Sequence, residues 1–465
     1  MAKIVALAAY FYQAAVAFGL LITVAHMLSP GDFSRYSLFI SVSQFTAIFC
    51  FEWIRFACSR FYPGRTQQSE ASERRALTIE FAVSAAFCIL AAAVSIIFAV
   101  PPTVALLGGL VAVFQGASDL HLTILRFKQQ FRSFSRLQGS RATILAAGTL
   151  SGTALSPTFG YTAAGLLVGY IVYSLIAILA TRNRLTEGAD FEPALVRKHF
   201  VYGSVAAGAA VVAMLAPLSL KSILTAMLGT EGAAGVLLAL DLLQRPFVLI
   251  VSALQAIQYP DIVSLYDREG ETSGLRRRLG EYYSLLTGFT LMTASGIFAL
   301  LQPIGHFVIA PGLQQSFLAA APYVTGVAVC RALTQNMLPT PSHLRHHLKS
   351  IFLLSLVDCL LLNGGVLAAG HFILNRGDVL MGGGMIGAIL AMLIGIKVLV
   401  ALPFDLIWQP VAFSAVGIAI PVIATAGFNY NLWVFVGIGV VGGGAFCLLG
   451  LHSFFIRMFR PQTAS

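Results

Sequence analysis

Apolar stretches of about 20 residues follow one another along this chain from residue 4 to residue 456, separated by short polar breaks. Each is long enough to cross the hydrocarbon core of a bilayer as a helix. The runs are continuous and lack the alternation of a transmembrane barrel strand, so helices are the spanning structure that the pattern predicts. Charge agrees. Only 10% of the 465 residues are Asp, Glu, Lys or Arg, and mean hydropathy is +0.84. A soluble domain carries roughly 25% charged residues, so too few are present here to cover a water-facing surface. No stretch is left over for a soluble catalytic domain. The chain reads as an all-α polytopic membrane protein.

Fourteen transmembrane helices are predicted, at 4–28, 36–58, 77–99, 104–126, 140–158, 162–181, 201–226, 232–258, 283–302, 317–338, 350–371, 382–404, 411–428 and 432–456. Turn signals mark several breaks, among them Ser29-Pro30-Gly31-Asp32, Pro101-Pro102 and Pro339-Thr340-Pro341. The loop charges test the count. With the N-terminus inside, 23 of the 29 basic residues fall in cytoplasmic loops and ends, two (Arg35 and Arg376) fall outside, and four lie within spans. One miscounted helix would invert every later loop and spoil this asymmetry, so both termini are expected in the cytoplasm. The first apolar run is expected to be a retained helix, because no cleavage site followed by a polar mature domain is present.

The net charge of +10 is thereby absorbed as an orientation signal and does not indicate nucleic acid. The aromatic and basic segment Arg126–Arg136 is expected to lie on the anionic inner leaflet. Six cysteines fall in or at the ends of apolar segments without a CxxC pair, so neither a disulfide framework nor a zinc site is expected. Two strings of the form GxGxxG, at Gly382 and Gly437, lie inside spans; small residues four apart, as in Gly148/Gly152, Gly165/Gly169, Gly383/Gly387 and Gly439/Gly443, instead predict close helix packing. The histidines His343, His346 and His347 lack an acidic or cysteine partner nearby and read as a solvated basic loop. No catalytic residue, metal or cofactor is expected.

Ionisable residues inside the bilayer are costly and usually line a cavity or pair with one another. Lys221, Arg245, Arg331 and Lys397 are the cations within spans; Glu52 and Arg55 stand near the inner end of the second helix and His26 at the outer end of the first. The acids are Asp119, Asp241 and Asp358, with Asp405 closing the twelfth helix. Asp241 and Arg245 are four apart, and Glu52 and Arg55 three apart, so each could pair on its own helix. Lys221 and Arg331 have no such partner, which makes them candidates for meeting an anionic ligand, although Asp119 and Asp358 could answer them across helices. Lys397 lies close enough to the cytoplasmic side to snorkel.

A faint echo runs through the chain: Met27-Leu28 after the first helix and Met227-Leu228 after the seventh are 200 residues apart, the spacing that a duplication of six helices produces. The joints Leu28-Ser-Pro-Gly-Asp-Phe-Ser-Arg-Tyr-Ser-Leu38, Ser59-Arg-Phe-Tyr-Pro63, Met227-Leu-Gly-Thr-Glu-Gly-Ala-Ala-Gly235 and Gln258-Tyr-Pro-Asp261 resemble those of Wzx-type polysaccharide flippases. These belong to the multidrug/oligosaccharidyl-lipid/polysaccharide exporter superfamily, and the likeness in layout covers nearly the whole chain. Ser34 stands where that family often has glycine, and Val236 and Leu237 where it has an aromatic. The first helix lacks the arginines of relatives that flip the peptidoglycan precursor, which favours an exopolysaccharide or O-antigen substrate.

The resemblance implies two six-helix lobes (1–198 and 199–408) around a central cationic cavity that alternates between the membrane faces, plus an extra helix pair and tail (409–465). The implied substrate is an oligosaccharide repeat unit on undecaprenyl diphosphate, flipped across a bacterial inner membrane, with membrane lipids and polysaccharide polymerase machinery as further partners. A pyrophosphate cannot cross hydrocarbon without fixed positive charge. Arg55, Lys221, Arg245 and Arg331 are the residues expected to supply it, and Asp119, Asp241 and Asp358 are expected to act as coupling or charge-pair acids. Two alternatives stay open: a cation-coupled multidrug antiporter of the same superfamily, which would lean on buried carboxylates, and a membrane polysaccharide polymerase or ligase, which normally carries a large outside loop.

Overall fold

The computed structural model describes residues 2–62, 67–98, 100–128, 130–181, 192–345, 347–427 and 432–459. Arg65, Arg182, Arg184, His346 and Arg460 lie outside them. Every long element among the described residues is a helix: α1 (Ala2–Met27), α2 (Pro30–Phe61), α3 (Gln67–Ser95), α4 (Pro102–Phe127), α5 (Phe131–Leu155), α6 (Phe159–Thr181), α7 (Pro193–Glu269), α8 (Ser273–Pro303) and α9 (Gln314–Asn336). A single short turn, α10 (Thr340–Leu344), precedes α11 (Leu348–Phe372), α12 (Gly377–Leu399) and α13 (Trp408–Gly427). Finally α14 (Leu432–Gly437) runs through a π-helical stretch into α15 (Gly444–Phe459). The long α7 breaks at Gly229, whose φ of 74° only glycine adopts cheaply. Counted as two, with α14 and α15 as one and α10 set aside, it makes fourteen long helices in the expected order.

Local chemistry explains the breaks. Pro30 opens α2, and the Ser29 hydroxyl caps it by accepting from the Asp32 amide at 3.2 Å. Thr272 caps α8 in the same way, just after Gly270 (φ 68°) has closed α7. Both Met-Leu pairs sit directly before a break, one ending α1 and one ahead of Gly229.

The chain divides into two compact units, Met1–Thr225 and Ala226–Ser465. In the first, α1 packs on α5, α5 on α6, and α4 on α2 and α3. Its core is built from Phe51, Ile54, Cys58, Leu77 and Cys88, with a second cluster around Leu125, Phe134 and Tyr173. In the second, α11 packs on α12, α12 on α9, and α8 on α13. The outward faces are apolar: Ile97, Leu179 and Phe372 are 80%, 75% and 80% exposed. Water does not tolerate such a surface over many helices, and lipid does. Nine of the described helical stretches satisfy both the length and the apolarity of a membrane span, one of them 63 residues long. The protein is a multi-pass membrane protein.

The expected small-residue packing is present. A Cβ on Gly148 would stand 2.6 Å from the Gly165 carbonyl oxygen, and one on Gly443 2.8 Å from that of Gly417. Gly152 faces the Tyr161 carbonyl, and Gly383 and Gly387 press on the backbone of α11 at Gly365 and Leu361. Buried Thr153 and Thr162 add a hydroxyl contact of 3.0 Å between α5 and α6. Dispersion and close backbone approach, which need no side chain, hold these pairs together in lipid. Substituting Gly152→Leu should therefore lower the thermal midpoint of the purified protein, at an overpacking cost of about 1–3 kcal/mol or more. Gly160→Ala, where nothing lies within 4 Å, should leave the melt unchanged.

Candidate functional site

Three helices of the first unit turn polar faces toward one another. On α2, Glu52, Arg55 and Ser59 are three and four residues apart; on α4, Asp119, Thr123 and Arg126 follow at four and three. Both spacings keep the set on one helix face. From α5 come Gln138 and Arg141, again three apart, and from α1 comes Gln13. These residues, with Phe56, Leu122 and Phe134, line a cleft of about 360 Å³. A smaller recess of about 100 Å³, bounded by Gln44, Glu52, Gln115, Arg55 and Asp119, continues from it.

Some of the charges in this cleft pair with each other. Arg141 donates to Asp119 at 2.6 Å, joining α5 to α4. Arg55 pairs with Glu52 on its own helix, as its spacing predicts, but its side chain stays 44% exposed while that of Glu52 is 7% exposed. Gln138 donates to Gln13. Arg126 lines the cleft and is exposed. Three guanidiniums thus face two carboxylates, with amides and hydroxyls between. Guanidinium forks of this kind suit the oxygens of a phosphate or carboxylate ligand. Next to the cleft, Glu70 gathers Arg74 at 2.8 Å, Lys128 at 2.5 Å and the Tyr62 hydroxyl at 2.7 Å, which ties the inner ends of α2, α3 and α4 together.

The other sequence candidates are distributed elsewhere. Lys221 is buried and donates to Ser37 and Ser41 of α2 at 3.1 and 2.8 Å. In the second unit the Arg245 Nε donates to the Asp241 carbonyl oxygen, 3.0 Å away. Arg331 meets Asp358 across α9 and α11 at 3.1 Å, and Gln335 donates to the same carboxylate oxygen at 3.2 Å. Of the two acids expected to answer a cation across helices, Asp358 thus answers Arg331 and Asp119 answers Arg141. Lys397 is exposed, in keeping with a snorkelling lysine, and His343 and His347 are exposed. Among the described residues no group of His, Cys, Asp and Glu could hold a metal ion.

Arg126 and Arg141 are the cleft residues that loop-charge counting hides, because both belong to the positive-inside set. The signal that finds them is helical: Asp119, Thr123 and Arg126 share one face of α4, and Gln138 and Arg141 one face of α5. The same holds for Phe134, which sits in the basic segment 126–136 yet is buried in the core with Leu122 and Leu137.

No family model and no curated protein matches the sequence. Solved structures do match the fold. The lipid II flippase MurJ, in an inward closed conformation, superposes with a TM-score of 0.65 at 14% identity, over 98% of this chain and 100% of that one. An inward-facing multidrug resistance MATE family transporter of the MOP superfamily gives 0.64 at 14% identity, over 84% of this chain and 94% of that one. The eukaryotic MATE transporter AtDTX14 gives 0.57 at 14% identity, over 85% and 96%. The chain therefore shares the fold of these proteins.

The Arg331–Asp358 contact has its own test. Both side chains are buried, at 9% and 1% exposed, and removing one partner of such a pair costs about 3–5 kcal/mol. Arg331→Met should lower unfolding stability by that order, and adding Asp358→Leu should restore most of it. Wild-type stability in the single variant would remove the pair from the list of structural contacts.

Proposed function

We propose that the protein flips a lipid-linked oligosaccharide, carried on a polyprenyl diphosphate, across the bacterial inner membrane by alternating access, as a Wzx-type flippase of exopolysaccharide, capsule or O-antigen synthesis. The observation that carries this reading is the cleft in the first unit, where Arg55, Arg126 and Arg141 outnumber Glu52 and Asp119 inside a membrane-spanning body. A diphosphate head group needs fixed positive charge because its desolvation in hydrocarbon is prohibitive. The lipid tail does not, since it can stay in the bilayer. The shared fold of a lipid II flippase over 98% of the chain supports a lipid-linked substrate. The absence of arginine from the first helix of this sequence favours a polysaccharide precursor over the peptidoglycan one. Arg55 and Arg126 are the primary head-group ligands in this reading, Lys221 and Arg245 supply further positive charge within the spans, and Arg331 serves the α9–α11 contact. The polar loops rich in Lys and Arg put both termini in the cytoplasm, and polysaccharide polymerase machinery takes the product. The three parts of the chain in this reading are the lobes 1–198 and 199–408 and the pair 409–465.

A second reading, a cation-coupled multidrug antiporter, is favoured by the shared MATE fold. The cleft carries the wrong sign for organic cations, so drug susceptibility should not change when the gene is deleted. Under the flippase reading, deletion makes the lipid-linked oligosaccharide accumulate on the cytoplasmic face; full-length surface polysaccharide with normal intermediates would defeat it. Charge-assisted hydrogen bonds contribute about 1.5–3 kcal/mol each. Arg55→Ala and Arg126→Ala should therefore each weaken transport in proteoliposomes roughly ten- to hundredfold while the protein still reaches the membrane.

A further inference from the structure

The most deeply buried ionisable cluster of the first unit lies beside the cleft. Glu73 and Glu80 are seven residues apart, on one face of α3. Both turn toward His199, two turns into α7. Its Nδ1 lies 2.8 Å from Glu80 Oε1, and its Nε2 lies 3.0 Å from Glu73 Oε1. All three side chains have 0% exposure. Phe61 of α2 stacks on the imidazole, centroids 5.4 Å apart and planes 14° from parallel. Tyr202 meets the edge of Phe61, and Lys198 sits 4.5 Å over its ring.

This geometry has a definite protonation. Nδ1 meets Glu80 with hydrogen-bond geometry, and Nε2 meets Glu73 at ion-pair distance without an aligned hydrogen bond; two carboxylates this close favour the imidazolium. With an acid on each side, the ring is held in its charged form. Two carboxylates then face one imidazolium where water does not reach. Glu80 Oε2 is buried without a hydrogen-bond partner among the described residues. An ionised carboxylate with an orphaned buried oxygen is costly, and a proton on that oxygen removes the cost. The other charged or titratable neighbours are Cys58 on α2 and Arg126 on α4. Arg126 shares the cleft wall with Ser59, next to Cys58, and Cys58 belongs to one core cluster with Leu77, which stands between Glu73 and Glu80 on α3.

We propose that Glu73, His199 and Glu80 form a proton-binding site, with the exchangeable proton on Glu80 Oε2 and Arg126 as its link to the cleft. The role of the link rests on the transport reading given above. An anionic head group in the cleft draws the Arg126 guanidinium toward itself. The acid pair then loses positive potential, and hydronium gives a proton to Glu80, leaving water. Departure of the head group restores Arg126 and releases the proton. Head-group binding and proton binding thus raise each other's affinity, as linkage requires. Of Asp119, Asp241 and Asp358, the acids that the sequence suggests for coupling, Asp119 is held by Arg141 and Asp358 by Arg331 with Gln335.

The proton site is tested without any substrate. The full-length protein in lipid nanodiscs is titrated by infrared spectroscopy for the carbonyl band of a protonated buried carboxyl, and by ¹⁵N NMR for the ring nitrogens of histidine. Glu80→Gln should abolish the band. Arg126→Ala should make it persist to higher pH, by at least one unit. A His199 signal, assigned by its loss in His199→Gln, should be that of an imidazolium at pH 7. A band that survives Glu80→Gln, an unchanged titration in Arg126→Ala, or a neutral His199 ring at pH 7 each overturns the proposal. A transport arm uses proteoliposomes and a lipid-linked diphosphate. One proton per head group allows about tenfold accumulation per unit of pH gradient, and Glu80→Gln should lose that response. Movement without any response to the gradient in the wild type removes the coupling role. If nothing moves at all, the transport reading fails, and the titrations still decide the proton site.

Discussion

The hydrocarbon core offers no water to a charge, and this one constraint orders the rest of the structure. Every ionisable side chain carried into the spans must find a partner, a wet cleft or the interface. The chain uses all three. Arg331 is neutralised by Asp358, and Lys221 is held by the hydroxyls of Ser37 and Ser41. Lys397 is exposed. Arg55, Arg126 and Arg141 gather around a cleft.

The same constraint explains how the helices are held. Burial from water cannot drive two helices together inside lipid, so packing must come from fit. Glycines at Gly148, Gly152, Gly165 and Gly383 let backbones meet where any side chain would intrude. Where polar contacts reach across helices, as between Thr153 and Thr162 or Gln138 and Gln13, they add direction to that fit.

Much of the fold was legible in the chain. Long apolar runs locate helices whatever their neighbours do, and the turn at Ser29-Pro30 marks a start by local hydrogen bonding alone. α5 was harder to read, because Arg132, Arg136 and Arg141 make its first half resemble a loop. Phe134 within it belongs to the core, which only the face it turns to Leu122 and Tyr173 reveals. Of the site, Arg55 and Asp119 were visible because a charge in an apolar run stands out. Arg126, Arg141 and His199 were not, since each sits near other basic residues at the end of an apolar run or between runs. Glu73 and Glu80 gave no signal either: α3 opens polar, and nothing local says that its acids turn inward.

Sequence by itself determined that this chain lives in a membrane and where its long helices run, because hydropathy acts through the solvent and needs no partner. Tertiary structure alone decided which charges cancel. Pairing depends on distances between helices that lie far apart in the chain, 22 residues for Asp119 and Arg141 and 119 for Glu80 and His199. A Coulomb interaction falls with separation and is amplified where water is excluded, so a few ångströms of packing decide which charges pair.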